Sequence, residues 1–292
     1  MVVTTAAWVL CLGLLVPALE RGSLTEPVRS ATRMLVEQPR RLLAPDELLG
    51  RVAAVVVPAA ALLALAVLPV GRGGSTWVSS SADLVWFNAA EVLLWVGWWC
   101  AGWAPNSAFA LVGAYRFLAQ GLSYELPLMF SLITVGVGAG SLRVDDVLAA
   151  QEAVWFVAVM PVAAVVFVCA AAAFACWGPF AAPLGRDVAG GLLAETAGPR
   201  RLVLLAGRAL FLGEAGAMTA TLFLGGQAGP GAPGWWWLAV KTLLVAGVMV
   251  ALSRRIAVLP PDRTVDVAWV VVLPLTIVQA LIVSVLVLQG VL

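Results

Sequence analysis

Histidine is absent from this chain of 292 residues, and charge is scarce: 17 Lys and Arg with 16 Asp and Glu make up 11% of it. Without histidine the chain lacks the commonest haem and zinc ligand and the usual proton shuttle near neutral pH. Four cysteines stand at 11, 100, 169 and 176, with no C-x-x-C pair, all in apolar stretches. They read as small buried hydrophobes, because an iron–sulfur centre needs four converging thiolates. No cofactor is therefore expected on this chain, and any redox chemistry would belong to a partner. A formal net charge of +1 offers no field to attract nucleic acid. What is present instead is hydrocarbon. Apolar residues make up 62% and mean hydropathy is +1.01, against about 45–50% apolar and about 25% charged in soluble domains. The composition predicts an all-α, polytopic membrane protein.

A spanning helix needs about 20 mostly apolar residues. Eight segments qualify: 1–19, 52–70, 82–104, 122–140, 153–176, 202–225, 235–252 and 267–290. The first resembles a signal peptide, but charge follows it rather than precedes it, so it is read as a helix. Arginines fix the orientation. Arg21, Arg29, Arg33, Arg40, Arg41, Arg51, Arg116, Arg186, Arg200, Arg201, Arg208, Arg254, Arg255 and Arg263 fall on one side, and only Arg72 and Arg143 on the other. The positive-inside rule then makes the loops near 20–51, 105–121, 177–201 and 253–266 cytoplasmic and places both termini outside. That corresponds to a multi-pass protein of a bacterial-type plasma membrane, built as a single domain over 1–292. The run Trp235-Trp236-Trp237 marks the outer interface. Segment 24–44, with Leu24, Val28, Ala31, Leu35 and Leu42 between arginines, predicts an amphipathic helix on the cytoplasmic surface; a solvated loop is the alternative.

Charge inside the bilayer costs a few kcal/mol, so each intramembrane acid is a functional candidate. Glu91 lies in the middle of the third span, Glu125 at the start of the fourth and Glu214 in the middle of the sixth. In apolar surroundings such carboxyls suit a proton relay; the alternative is a purely structural pairing. Lys241, early in the seventh span, can snorkel toward the tryptophans.

The stretch 101–128, AGWAPNSAFALVGAYRFLAQGLSYELPL, resembles the NuoH-type membrane protein of respiratory complex I, the proton-pumping NADH:quinone oxidoreductase. Gly102, Trp103, Asn106, Gly113, Arg116, Ala119, Gln120, Ser123, Tyr124, Glu125 and Pro127 follow the family pattern without gaps. Further matches run along most of the chain. They include Glu26-Pro27-Val28 in the surface helix, Glu214 with Met218, Thr221 to Gly226, Gly229-Pro230, Trp235 to Lys241, and Trp269 with Leu273-Pro274-Leu275. The resemblance implies eight helices, attachment of a peripheral electron-transfer arm to a membrane arm, and quinone as substrate of the complex. It implies a proton path through Glu125, Glu214 and Arg116, with Asp187 in the place of a loop carboxylate; Glu91 is a further candidate by its depth in the bilayer alone. Arg116 would hold a carboxylate charged. Pro179, Phe180, Glu195 and Glu26 are the candidates for the quinone region.

The departures concern the quinone loops. The family's first-loop motif G-P-N-R-x-G-P is missing, and Arg21-Gly22 runs directly to Glu26. After the fifth span Pro179-Phe180 and Pro183 survive, but Ala181, Leu184, Phe174 and Trp177 stand where the family carries carboxylates and an arginine. Clustered carboxylates hold protons with coupled affinities; Asp187 beside Arg186 cannot do so alone. Quinone handling is expected to be weakened or altered. Two alternatives keep the fold: the anchor subunit of a membrane-bound hydrogenase-type complex, and a non-catalytic structural paralog. A stand-alone transporter is disfavoured, since no repeated half is found.

Overall fold

The computed structural model describes residues 15–40, 42–70, 76–185, 188, 190–231 and 234–291. Among them there is helix and no strand. The helices are α1 (residues 15–21), α2 (Thr25–Val36), α3 (Glu47–Leu65), α4 (Asp83–Trp103), α5 (Ala108–Ala139), α6 (Val144–Ala150), α7 (Phe156–Val159), α8 (Pro161–Phe174), α9 (Gly198–Phe223), α10 (Trp235–Arg255), α11 (Pro261–Val267) and α12 (Leu273–Leu288). A π-helical turn, Ala268–Val272, joins α11 to α12 into one run.

Six helices among the described residues are long and apolar enough to cross a membrane: α3, α4, α5, α9, α10 and the α11–α12 run. They coincide with six of the eight expected spans, and the chain is an all-α polytopic membrane protein. The expected span 1–19 lies mostly outside the described residues. The expected span 153–176 is not one helix. It breaks at Met160, which takes φ −129° and ψ 60° before Pro161, because proline disfavours the helical region in the residue ahead of it. Freed backbone groups in lipid need partners, and Gln279 of α12 supplies them: its Oε1 accepts from Val162 N at 3.4 Å and its Nε2 donates to Val159 O at 3.5 Å.

Two further boundaries differ. The expected surface helix 24–44 ends at Val36, where Glu37 turns extended (ψ 131°) two residues before Pro39. The segment 105–121, expected as a loop, is helical from Ala108. Nothing in Ala108–Gly121 stops a helix, so α5 runs for 32 residues, or about 48 Å at 1.5 Å per residue, well beyond the ~30 Å hydrocarbon core. The tight turn ahead of it is made by Asn106, which takes φ 51°, a conformation asparagine tolerates better than most residues.

The core sits where α4, α5, α8 and α9 meet. It is a chain of aromatic rings: Trp95–Tyr124 (6.4 Å between centroids), Tyr124–Phe174 (6.1 Å), Phe174–Phe211 (5.1 Å), Phe211–Phe87 (6.4 Å) and Phe87–Phe167 (5.8 Å). Inter-ring contacts at these separations add about 0.5–1.5 kcal/mol each beyond burial. α12, in contrast, leaves most of its large apolar side chains exposed, as a lipid-facing helix does.

Candidate functional site

The Ser123-Tyr124-Glu125 segment lies on α5 opposite Asn88 and Glu91 of α4. Asn88 and Glu91 are one turn apart and therefore share a face. The Tyr124 hydroxyl donates to Glu91 Oε1 at 2.5 Å, and Asn88 Nδ2 donates to Glu125 Oε1 at 3.0 Å. Glu91 is wholly buried, Tyr124 nearly so and Glu125 partly. The Glu91 and Glu125 carboxyls interact across the helix interface, with Trp95 beside them. One oxygen of each carboxyl, Glu91 Oε2 and Glu125 Oε2, is buried without a hydrogen-bond partner among the described residues. The arrangement brings two carboxyls from neighbouring helices together, one held by a phenol and the other by an amide.

Small residues make room for this cluster. A Cβ at Gly121 would come within 2.5 Å of the Trp95 ring, so glycine there allows the indole to lie against α5 beside Glu91. Below it, Gln120 Nε2 donates to Ala173 O at 2.6 Å, which ties α5 to the end of α8, and Ser123 Oγ donates within α5 to Gln120 O at 2.6 Å.

Glu214 does not join the pair. It is fully buried on α9, and both carboxyl oxygens lack a hydrogen-bond partner among the described residues. Phe87 and Phe211 pack together; Glu91 lies one turn beyond the first and Glu214 one turn beyond the second.

Arg116 stands about 12 Å along α5 from Tyr124, so it does not reach the pair. It donates to Ala182 O at 3.4 Å and Gly190 O at 3.3 Å, pinning the loop after α8 to α5. Gly113, one turn earlier, permits this approach, because a Cβ there would collide with the backbone of Gly191 and Leu192. Asp187 lies outside the described residues.

The quinone-region candidates divide. Glu195 borders a cavity of about 380 Å³ where α3 and α9 begin, together with Pro39, Arg40, Glu47, Gly50 and Arg200. Two ion pairs cross it, Arg40–Glu195 at 3.6 Å and Arg200–Glu47 at 2.7 Å. Pro179 and Phe180 are elsewhere: Pro179 O accepts from Leu259 N at 2.8 Å, and Phe180 faces a groove beside α11. Glu26 is exposed on α2, outside the cavity wall.

Three buried polar groups have roles that the linear sequence does not disclose. Arg208 is 6% exposed. It stacks 3.9 Å over Trp177 and donates to Ala175 O (2.7 Å) and Cys176 O (2.8 Å), where its charge meets the negative end of α8. Its position inside an apolar span is the one available signal. Gln151 donates to Val147 O and Thr221 O and accepts from Phe156 N and Gly225 N, so it holds the broken helix to α9. Lys241 does not snorkel outward. Its Nζ donates to the carbonyls of Leu224, Gly226 and Ala228 over the Trp155 ring, capping the C-terminal end of α9.

Residues 18–284 match the sequence model of the NADH dehydrogenase family. The chain belongs to this family. It is similar to the second H-type subunit of the NADH-quinone oxidoreductase of Geobacter sulfurreducens, with 33% identity over 268 residues, covering 89% of this chain and 82% of the relative. The second H-type subunit of the Syntrophobacter fumaroxidans oxidoreductase is 31% identical over 89% of this chain and 81% of its own length. The H-type subunit from Geobacillus sp. (strain WCH70) is 30% identical over 88% and 78%. The likeness carried by residues 101–128 thus extends over nearly the whole described fold.

Proposed function

We propose that this H-type chain works as the membrane-arm subunit of a multi-subunit NADH-quinone oxidoreductase. Its arginine-rich loops face the cytoplasm and receive the peripheral arm; both termini are outside. The chain itself catalyses no step and binds no cofactor, and quinone is the substrate of the complex. The observation that carries the proposal is the pairing of buried Glu91 on α4 with Glu125 of the Ser-Tyr-Glu-Leu-Pro segment, positioned by Tyr124 and Asn88. In this reading the pair is the proton-exchange element, and Glu214 is a further stop. The cavity at Glu195, Arg40 and Arg200 is the quinone-facing mouth. Its two ion pairs replace the missing acidic loop, and quinone contact there is weakened as a result. A hydrogenase-type complex is not favoured, since the similar proteins are components of NADH-quinone oxidoreductases.

The test is Glu91→Gln in cells that assemble the complex. Inverted membrane vesicles should lose proton uptake driven by NADH while the assembled complex survives. Unchanged proton uptake would leave the pair a structural role only.

A further inference from the structure

Between α5, α8 and the α11–α12 run lies a groove of about 280 Å³, separate from the cavity at Glu195. Tyr124, Ala170, Ala173, Phe180 and Val267 line its wall, and Arg263 stands at its rim. The space exists because α8 presents alanines there, while α8 is only 14 residues long beside the 32 of α5. The π-helical turn borders the same groove through Ala268 and Val272 and sends Trp269, Val270 and Val271 outward. Such widened turns are frequent beside functional sites.

The polar groups of the wall are already occupied. Ser123 Oγ donates to Gln120 O at 2.6 Å, Thr264 Oγ1 to Pro261 O at 2.6 Å, and the Tyr124 hydroxyl to Glu91 at 2.5 Å. The groove therefore presents hydrocarbon to whatever enters it. The rim differs. Arg263 is exposed and, among the described residues, makes no hydrogen bond or ion pair; Asp262 and Asp266 on the same run lie outside the groove wall. Arg254, near the end of α10, is engaged on the carbonyls of Leu19 and Glu20. An apolar slot with an exposed guanidinium at its rim, uncommitted among the described residues, is complementary to a hydrocarbon chain that carries a phosphate at one end.

We propose that this groove is a site for one anionic phospholipid, with an acyl chain along Ala170 and Ala173 and the phosphate on Arg263. The occupied groove also covers the outer side of Tyr124, keeping water from the ring that positions Glu91.

The full chain would be reconstituted in nanodiscs of equal parts phosphatidylglycerol and phosphatidylcholine, released into detergent, and its retained lipids counted by native mass spectrometry. Wild type should keep one phosphatidylglycerol. Arg263→Gln should lower its retention about tenfold, the scale of one charge-assisted contact, and Arg263→Lys should restore most of it. Ala170→Phe, which fills the slot, should abolish retention of either lipid. Arg263→Gln sits on an exposed rim, so the test does not depend on whether the larger residue folds. Equal retention of both lipids by wild type would overturn the assignment of the phosphate. Retention by Arg263→Gln equal to wild type, or a quinone held in place of the lipid, would overturn the site.

Discussion

Glu91 and Glu214 are the same residue type, each wholly buried in a spanning helix, yet their surroundings differ. Glu91 has a donor in Tyr124, a neighbour in Glu125 and an indole beside it. Glu214 has no hydrogen-bond partner for either oxygen among the described residues. An unpaired buried polar group costs free energy that a paired one does not. The difference teaches that depth alone does not define an acid's surroundings: one belongs to a built cluster on two helices, and the other stands by itself among the described residues.

The sharpest way to break this comparison is transport. Glu91→Gln is expected to reduce NADH-driven proton uptake in vesicles by about 10²-fold, the lower range for loss of a positioned acid–base group. Glu125→Gln, at a partly exposed position, should reduce it by only about tenfold on the same scale. A larger effect at Glu125 would reverse the assignment of the principal carboxyl.

Stability tests the contrast in a different way. Glu91→Leu orphans the Tyr124 hydroxyl and should cost about 1–3 kcal/mol, read from thermal unfolding in detergent. Glu214→Leu removes two unsatisfied oxygens and should be neutral or stabilising by about 1 kcal/mol, as replacements of unpaired buried polar groups often are. Equal losses would show that Glu214 has a partner of its own, such as an ordered water.

A third prediction concerns the packing that makes room for the cluster. Gly121→Ala places a Cβ 2.5 Å from Trp95 and should destabilise by about 1–3 kcal/mol through overpacking, with a shift in tryptophan emission. Gly247→Ala, with nothing within 4 Å, should instead stabilise by about 0.5–1 kcal/mol through helix propensity. A modest loss is expected for Tyr124→Phe, about 1 kcal/mol, the net worth of one hydrogen bond. The same variant should also lower proton uptake, since Glu91 is left free to turn; no change in uptake would separate the positioning role from the bond.

Much of this architecture is legible in the chain. The hydrophobic runs mark α3, α4, α9 and α10 to within a few residues, because lipid demands long apolar helices and little else. Hydropathy misses the start of α5, since it measures the part of a helix in lipid and is silent on the part that protrudes. It misses the split at Met160 as well, because a 24-residue apolar run satisfies the length rule whether or not its backbone is continuous. Among the site residues, Glu125 is legible from its motif. Glu91 gives a weaker signal, because its partner Tyr124 is 33 positions away and sits on another helix.

The sequence by itself determined that the chain is a helical membrane protein, because that follows from the transfer of side chains between water and hydrocarbon. Only the tertiary structure decided which acids meet, that Lys241 and Arg208 cap helix ends, and that a groove opens beside Tyr124. Those outcomes depend on helix register and on the small residues at each crossing, and a rotation of one helix by a single residue would have paired different groups.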